Sequence, residues 1–560
     1  MNILCNPLNI DYKFQHIKSG HAAFRECADP TAILFKGKYY IFPSMSAGFW
    51  YSDDLFNWNF HENRNLPICD YAPDVRQIGD YLYFCASRMH EPSTFYRTKD
   101  PFQEQYEVVS SPFPFWDPHM FQDDDGRVYF YWGCSNEEPI RGVEMDPETM
   151  LPISDPVDLV QGCPEIHGFE RIYKNGRLIN DPPFIEGAYV NKYQGKYYLQ
   201  YSCPGTEFNT YCDGVYVADK PLGPYKAQES NPFSLKPGGF ICGSGHGSTF
   251  KDKSGNWWYV GTMTISMHHL FERRIGMFPA GFDAEGNMFC NQNFADYPLE
   301  IPEGPFDPWS IEPRWMLLSY KKPVKSSSYV GGHPASCAVD ENVKTWWCAA
   351  GKENGEFLTV DLQSIQDVYA VQVNFAEEGV PAKPYPEEQY IYRKAIDTNP
   401  GFTRYLLEGS VDGEEWEVLA DKREAETDLS HDLIVLDRKK SIRFIRITGY
   451  GMPLNQRMAL SGLRVFGIGQ GDKPAKAEVT KAIFTGDTDV LVQWNKVPGA
   501  VGYNIRYGIA PDKLYHSWLV YEQNELMLTT IVAGKDYYVC VDSFNEAGIT
   551  KGDVIEVAAD

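Results

Sequence analysis

The chain has 560 residues and a formal net charge of −25 at pH 7, with 43% hydrophobic and 15% aromatic residues. This length exceeds what one ordinary hydrophobic core can serve, so two to four domains are expected. The negative charge disfavours a nucleic-acid partner, whose phosphates would be repelled, but it does not exclude a neutral sugar.

Sequence patterns predict neither a membrane span nor a disulfide framework. No run of about 18 apolar residues occurs, so no membrane partner is expected. The start, MNILCNPLNIDYKFQ, lacks the basic and apolar regions of a signal peptide. The 13 cysteines are scattered without CxxC spacing, and no HExxH occurs, which favours reduced thiols over disulfides or zinc. A cytoplasmic enzyme is predicted, or a secreted one if a signal peptide has been removed.

One pattern recurs five times in the first part of the chain. A turn glycine precedes an aromatic-rich strand in GKYYIF, GDYLYF, GRVYFY, GKYYLQY and GNWWYV, which begin at Gly37, Gly79, Gly126, Gly195 and Gly255. Each segment is typical of the second strand of a hairpin. The intervals of 42 to 69 residues suit a four-stranded propeller blade. The pattern predicts a five-bladed β-propeller over residues 1–315.

An ionisable residue stands five to nine residues ahead of each turn glycine, where the first strand of the hairpin opens. These residues are Asp29, Asp74, Asp117, Glu186 and His246. The innermost strands of a propeller start near its axis, so we expect the five side chains to meet in one pocket, with Asp74 and His246 also binding substrate. The alternative is that each caps a turn, as most Asp-Pro pairs do, but five residues in register with the repeat disfavour it.

Carboxylates held together in one pocket suit the hydrolysis of a glycosidic bond. Like charges at close range raise each other's proton affinity, and different surroundings then divide the roles. The reaction needs one carboxyl that protonates the departing oxygen and one carboxylate that acts as base or nucleophile. The distance between the two decides whether the anomeric configuration is inverted or retained, and that distance is not encoded in the spacing of the residues.

The segments ADPTAILFKGKYYIF, WDPHMF and EGAYVNKYQGKYYLQYS resemble the signature segments of glycoside hydrolase family 43, five-bladed propellers that invert configuration. The resemblance implies that Asp29 is the general base, Glu186 the general acid, and Asp117 the third acid, which raises the pKa of Glu186 and orients it. It also implies that His246, in GHG, holds a cation or water cluster below the sugar. Calcium would be the ion, and a hydrogen-bonded core histidine is the alternative. The sequence EGAY differs from the family's EGP, which weakens assignment of the sugar by analogy.

Further residues are candidates for binding the sugar. Phe49, Trp50 and Trp116 could stack on a sugar face, with packing in the propeller core as the alternative for each. One residue of the pair Arg273-Arg274 resembles the arginine that family members direct at the sugar, and we take Arg274 as that residue. A salt bridge at the rim is the alternative.

Two β-sandwich domains are predicted beyond the propeller. Strand-like alternation over residues 316–468 resembles a discoidin-like (coagulation-factor C-type) domain. The resemblance implies a carbohydrate-binding module and, in the VDEN loop at 339–342, a structural cation site. The Pro- and charge-rich insertion at 376–403 is expected to cover the active mouth of the propeller, with a brace between domains or a floppy loop as the alternative. Residues 471–560 resemble a fibronectin type III module.

These patterns predict an all-β chain and an exo-acting, inverting glycoside hydrolase that requires no cofactor for its chemistry. Its substrate would be a terminal pentose, α-L-arabinofuranose or β-D-xylose, on plant-type oligosaccharides or polysaccharide side chains. An exo-β-galactosidase of the same family is the closest alternative. A non-catalytic sugar-binding propeller is disfavoured, because a lectin has no need of a matched acid and base.

Overall fold

The computed structural model describes residues 2–18, 20, 22–67, 70–88, 91–174, 177–399 and 401–559, so residue 400 of the predicted insertion lies outside it. No α-helix occurs in these ranges, and no helix there is long and apolar enough to cross a membrane. The prediction of an all-β chain is confirmed. The 310 turns with described bounds are Gly168–Glu170, Pro308–Ser310, Ala335–Ala338, Glu387–Gln389 and Pro453–Asn455.

Below, the first unit denotes residues up to 315, the second unit 316–468 and the third unit 471–559. Five antiparallel sheets follow one another in the first unit, four of them four-stranded and the fourth with a fifth, short strand. Their strands are Ala28–Phe35, Lys38–Ser44, Gly48–Ser52 and Asn59–Glu62 in sheet 1; Asp74–Ile78, Tyr81–Cys85, Phe95–Thr98 and Glu107–Ser110 in sheet 2; His119–Gln122, Val128–Trp132, Ile140–Met145 and Val157–Val160 in sheet 3; Glu186–Tyr193, Lys196–Cys203, Cys212–Ala218, Lys226–Ala227 and Ser234–Leu235 in sheet 4; and Cys242–Lys251, Trp257–Thr264, Arg273–Phe282 and Met288–Cys290 in sheet 5.

The first strands of these sheets, called the axial strands below, form a closed ring. Each axial strand contacts that of the next sheet, and the axial strand of sheet 5 contacts that of sheet 1. In every sheet a turn with a left-handed glycine joins the axial strand to the second strand, because only glycine adopts this backbone without cost. The five predicted hairpins are confirmed at Gly37, Gly79, Gly126, Gly195 and Gly255.

Aromatic side chains of the blade strands fill the space between neighbouring sheets. Phe49 and Trp50 lie on opposite faces of one strand of sheet 1, and both are 0% exposed. Phe49 packs with Phe42 and Phe84 toward sheet 2, whereas Trp50 packs in a cluster with Trp258 of sheet 5. The prediction that Phe49 and Trp50 stack on a sugar is therefore wrong, since neither side chain reaches a cavity.

The second unit is built around one eight-stranded antiparallel sheet, and the third unit around two smaller sheets. The strands of the second unit's sheet are Met316–Leu317, Val324–Ser326, Trp347–Cys348, Phe357–Phe375, Arg404–Ser410, Glu417–Asp421, His431–Gly451 and Ala459–Ile468. Those of the third unit are Val479–Gly486, Asp489–Trp494 and Glu525–Leu528 in one sheet, and Gly502–Gly508, His516–Tyr521, Tyr538–Asn545, Gly548–Thr550 and Ile555–Glu556 in the other.

Short strands also occur outside these sheets. Within the first unit, Asn2–Leu4 pairs with Leu299–Ile301, and Ile172–Lys174 pairs with Arg177–Ile179. A third small sheet crosses between units, because its strands are Lys13–Ile17 and Ala23–Glu26 of the first unit and Lys394–Asp397 of the second.

Candidate active site

The axial strands are entered through residues with a left-handed backbone. Asp29, Ala72, Asp117, Gly187 and His246 have φ angles of 48°, 49°, 51°, 63° and 43°. Residues other than glycine hold this conformation only where the surrounding structure compensates its cost, and such residues concentrate at functional sites. Three of the five residues predicted to meet at the axis therefore occupy equivalent backbone positions.

Side chains at the ends of the second strands hold these left-handed residues in place. In four cases the backbone N–H donates to a hydroxyl of the preceding sheet: Asp29 to Thr262 Oγ1 (2.8 Å), Ala72 to Ser44 Oγ (2.7 Å), Asp117 to Ser87 Oγ (2.8 Å) and His246 to Ser202 Oγ (2.6 Å). Each bond satisfies a buried donor that the sheet ladder cannot reach. In these four cases a sheet thus holds the left-handed residue of the next sheet in place.

Four of the predicted site residues, Asp29, Asp117, Glu186 and His246, line one cavity of about 570 Å³. Trp116, predicted to stack on the sugar, also lines it. The remaining aromatic residues of its wall are Tyr71, Phe184, Phe271 and Tyr392. A largely apolar wall with a few convergent polar groups is the usual form of a small-molecule site.

Asp29 is held as a carboxylate. Its Oδ2 accepts from Ser44 Oγ at 2.7 Å, its Oδ1 accepts from Arg273 Nη1 at 3.0 Å, and His246 Nδ1 lies 3.5 Å from the same Oδ1. Burial alone would raise the pKa of Asp29, but the charges of Arg273 and His246 and the bond from Ser44 outweigh it, and the pKa is lowered from its ordinary value. Asp29 is therefore ionised at neutral pH, as a general base must be.

Asp117 lies beside Glu186 and holds a proton. Burial, opposed by His246 and reinforced by the charges of Glu186 and Asp29, raises the pKa of Asp117 to about 8. Ligating atoms of Asp117, Cys134 and Glu186 all lie within 4.8 Å of one another. The effect of Asp117 on Glu186 that the resemblance implies stays a prediction.

Glu186 is oriented by two donors. Tyr211 Oη donates to Oε1 at 2.5 Å, and the Cys134 thiol donates to Oε2 at 3.2 Å. Cys134 follows the second strand of sheet 3, the place that a serine or threonine takes in the other sheets. Glu186 keeps partial exposure to the cavity, so its carboxyl can reach a bound molecule.

His246 lies between the acids. Its Nδ1 is 3.5 Å from Asp29 Oδ1 and 3.7 Å from Asp117 Oδ2. Burial would lower the pKa of His246, but Asp29, Asp117 and Glu186 raise it above its ordinary value. Gly187 leaves room for the ring, because a Cβ there would lie 2.9 Å from His246 Cγ and Cδ2. His246 thus supplies a positive charge between the two buried aspartates.

Few side-chain ligands of the kind that calcium prefers surround His246. Within the described residues, the one group of three close side-chain ligands is Asp117, Cys134 and Glu186, and it contains a thiol but not His246. Calcium takes six to eight oxygen ligands, and a thiol is a soft donor. Calcium at His246 stays a prediction, and the chemistry proposed below uses no ion.

The VDEN loop of the second unit uses its acids internally. Glu341 accepts from Arg464 Nη2 at 2.9 Å, and Asp340 Oδ2 accepts from Thr345 Oγ1 at 2.7 Å. A guanidinium therefore already neutralises Glu341. The structural cation expected at this loop stays a prediction that would depend on Asp340.

Two family models match the chain. One, described as glycosyl hydrolases family 43, matches residues 25–286, and the other, the F5/8 type C domain, matches residues 323–461. Residues 25–286 are a family 43 glycosyl hydrolase domain. Residues 323–461 are an F5/8 type C domain, which is the discoidin-like part of the prediction. Neither match reaches the third unit, so its resemblance to a fibronectin type III module lacks that support.

The names of relatives of the family 43 domain indicate different sugars. The β-D-galactofuranosidase of Aspergillus niger is 26% identical over 274 residues, which is 42% of this chain and 72% of that protein. The β-xylosidase of Xylanibacter ruminicola is 24% identical over 254 residues, 36% of this chain and 78% of that protein. Among solved structures, Bacteroides ovatus xyloglucan PUL GH43B covers 99% of this chain and 92% of its own at 13% identity and a TM-score of 0.44.

The arginine of the pair that lines the cavity is Arg273, so the choice of Arg274 is wrong. Arg273 lines the cavity and bonds Asp29, whereas Arg274 is 1% exposed and faces the second unit. There its Nε lies 2.9 Å from His431 Nε2 and its Nη2 lies 3.6 Å from Glu377 Oε2. Neighbouring residues of a strand point to opposite faces, which explains why only one of the pair can reach the site.

Asp74 is also corrected, because it does not line the cavity. The residue equivalent to Asp29 in sheet 2 is Ala72, and Asp74 lies two positions further along the chain. Its Oδ1 lies 3.2 Å from His119 Nδ1, and its Oδ2 accepts from the Met120 N–H at 2.7 Å. Asp74 thus joins the axial strands of sheets 2 and 3 and is not placed to bind substrate.

Several site residues had no sequence assignment. Glu26 stands three positions before Asp29, so strand alternation alone would have placed it on the opposite face, and the left-handed backbone of Asp29 interrupts that alternation. Cys134 and Arg273 could have been found by comparing equivalent positions of the repeats. Nothing in the sequence signals Lys394, which bonds Glu26 across 368 positions of chain.

Proposed function

We propose that the family 43 domain hydrolyses glycosidic bonds by general acid/base catalysis with inversion of configuration. The observation that carries this proposal is the division of proton affinity within one cavity. The pKa of Asp29 is lowered by its cationic neighbours despite its burial, while burial and neighbouring carboxylates raise the pKa of Asp117 to about 8. Carboxyl groups whose surroundings separate their pKa values are the sign of an acid and a base.

Each carboxyl takes a separate role in this mechanism. Glu186 donates a proton to the departing oxygen, since it is the more exposed member of the pair and its orientation is fixed by Tyr211 and Cys134. Asp117 shares that proton in the resting state. Asp29 removes a proton from the attacking water. His246 and Arg273 keep Asp29 ionised while the positive charge of the transition state develops.

The proposed architecture is a five-bladed propeller whose axial mouth is the active site, followed by two β-sandwich domains. The closed ring of axial strands and the five antiparallel sheets support the propeller.

We further propose exo action on a terminal sugar. One wall of the cavity is formed by Phe271 together with Tyr392 and Arg393 of the second unit. Such a wall leaves space for a chain end rather than for a continuous polymer.

The proposed substrate is a terminal α-L-arabinofuranose or β-D-xylose. The names of relatives include xylosidase and xylosidase/arabinosidase, which supports a pentose. The β-D-galactofuranosidase relative supports a second candidate, a terminal β-D-galactofuranose. Arabinofuranose and galactofuranose share the five-membered ring, so the same cavity could distinguish them only through the exocyclic carbon chain.

A panel of p-nitrophenyl glycosides tests the proposal. α-L-arabinofuranoside or β-D-xyloside should be cleaved fastest, with β-D-galactofuranoside and β-D-galactopyranoside as the competing outcomes, and NMR should show an inverted first product. Asp29→Asn should lower kcat by about 100-fold or more on the preferred substrate. Glu186→Gln should lower it most on substrates with poor leaving groups, because these depend on the acid.

Asp80→Asn is the matched control, since Asp80 is exposed on a turn of sheet 2, and it should keep wild-type kcat. A retained product configuration would contradict the base role of Asp29 and favour a nucleophile. The sugar-binding alternative would be supported if the wild-type chain bound these sugars but hydrolysed none of them.

A further inference from the structure

A strand of the second unit is built into the floor beside the active site. Lys394–Asp397 pairs antiparallel with Lys13–Ile17, in register from Ile17 opposite Lys394 to Phe14 opposite Asp397. The chain reaches this strand through a tight turn in which Tyr392 and Arg393 both have left-handed φ angles, 47° and 63°. Two successive strained residues are kept only where the surrounding structure requires that path.

Alternation along the neighbouring strand, Ala23–Glu26, directs its two charged side chains to opposite sides. Arg25 donates to Glu377 Oε1 at 2.6 Å and to Asp428 Oδ1 at 2.7 Å, both in the second unit. Glu26, the next residue, points the other way. Arg273 Nη2 donates to Glu26 Oε1 at 2.9 Å, and Lys394 Nζ donates to Glu26 Oε2 at 2.5 Å.

The result is a buried row of alternating charges that ends at the base. Lys394 is 4% exposed, Glu26 0% and Arg273 3%, and Arg273 Nη1 lies 3.0 Å from Asp29 Oδ1. Lys394 also donates to the Tyr71 hydroxyl. With Lys394 present, the two carboxylates Glu26 and Asp29 face two cations. Without it, Glu26 and Asp29 would compete for Arg273 alone, in surroundings where such charges interact strongly.

We propose that Lys394, supplied by the second unit, is a positioning residue of the family 43 site that neutralises Glu26 and so leaves Arg273 directed at Asp29. The inference rests on the proposed function, because it assigns Lys394 an effect on the base of that reaction. It gives the F5/8 type C domain a part in the active site, separate from any binding of carbohydrate by that domain.

The test compares full-length variants on two substrates of the sugar that the wild-type chain cleaves, one with a good and one with a poor leaving group. Lys394→Met should lower kcat by about 100-fold on both substrates, with a much smaller change in KM, because a defect at the base does not depend on the leaving group. Lys394→Arg should restore most of kcat. Lys325→Met is the control, since Lys325 is an exposed lysine of the same unit, and it should behave as wild type.

The double variant Glu26→Gln/Lys394→Met guards against a loss caused by misfolding, because it removes the buried charge that Lys394→Met leaves unpaired. It should recover kcat relative to Lys394→Met. Wild-type kcat in Lys394→Met, or a loss confined to poor leaving groups, would overturn the inference while leaving the proposed function standing. A wild-type chain that cleaves no glycoside would instead overturn the proposed function, and the inference with it.

Discussion

Asp29 and Asp117 are both buried aspartates at left-handed backbone positions, yet their pKa values move in opposite directions. Burial acts on both alike, so the difference comes from their partners. Asp29 touches the guanidinium of Arg273, whereas Asp117 has a second carboxyl, Glu186, close to it. One cation, contributed by the third strand of sheet 5, thus decides which of the two aspartates stays ionised.

Asp117→Asn should stabilise the folded chain relative to wild type, and this gain should increase as the pH rises. The pKa of Asp117 is about 8 in the fold against 3.8 ordinarily, so its contribution to stability is complete below pH 3.8 and is lost as the pH rises toward 8. Asparagine does not titrate. The free energy of unfolding of the variant, relative to wild type, should therefore increase by about 3 kcal/mol between pH 5 and pH 7.5.

Urea denaturation at the two pH values measures this change. Asp80→Asn, which removes an exposed carboxyl, should show no such pH dependence. An equal stability difference for Asp117→Asn at both pH values would contradict the raised pKa. The variant should also lose catalytic activity, which would be the usual conflict between stability and function at an active site.

At the scale of elements, each axial strand has a left-handed residue near its start, and in four of the five a hydroxyl of the preceding sheet holds that residue. Gly187 fills this position in sheet 4, with a φ of 63° and no room for a Cβ beside His246. Gly195 has a φ of 79° in the turn that follows the same strand, and a Cβ there would meet nothing within 4 Å. An alanine at either glycine would strain the backbone, but only an alanine at Gly187 would also clash with a neighbouring side chain.

Gly187→Ala should lower kcat by at least about 10-fold, because the added methyl group displaces the His246 ring from the two aspartates. Gly195→Ala, the matched control, should keep wild-type kcat. Each substitution should cost about 1–2 kcal/mol of stability for the left-handed backbone, measured by urea denaturation, with a further loss for Gly187→Ala. Equal kcat values for both variants would show that Gly187 serves the backbone alone.

The hairpins, and the meeting of Asp29, Asp117 and Glu186 in one cavity, could be predicted from the sequence because a turn glycine fixes the register of the strands on either side. The prediction that Asp74 meets the other site residues is wrong because sheet 2 carries Ala72 at the equivalent position. Counting residues back from the turn glycine does not show which of them has a left-handed backbone. The prediction that Phe49 and Trp50 stack on a sugar is wrong for a different reason. The first unit buries both faces of this strand, so an aromatic pair does not indicate which face meets a ligand.

At the scale of the whole molecule, the three units share their hydrophobic cores. One cluster joins Tyr297 of the first unit and Phe466 of the second to Phe544 of the third. Another joins Tyr201 of sheet 4 to Tyr507 of the third unit. These contacts cross the boundaries that the sequence pattern suggests, and they predict that the chain unfolds as one cooperative body.

Calorimetry should accordingly show one transition whose midpoint coincides with the loss of activity. Phe544→Ala should lower both midpoints together, at a cost of about 3–5 kcal/mol for a large core side chain, although the residue is far from the site in sequence. Phe402→Ala, which truncates a phenylalanine that is 43% exposed, is the control and should change neither. Activity that survived a first unfolding transition would show that the units are independent.

Arg25 and Glu26 are neighbours in sequence, as are Arg273 and Arg274. The two members of each pair contact different partners because successive side chains of a strand point to opposite faces. A deleted or inserted residue just before either pair would flip this order. A guanidinium would then face Arg273 and Lys394 in the place of the Glu26 carboxylate, or Asp29 would lose the cation of Arg273 to the far side. We therefore expect descendants of this chain to tolerate many replacements in these stretches while keeping their length unchanged.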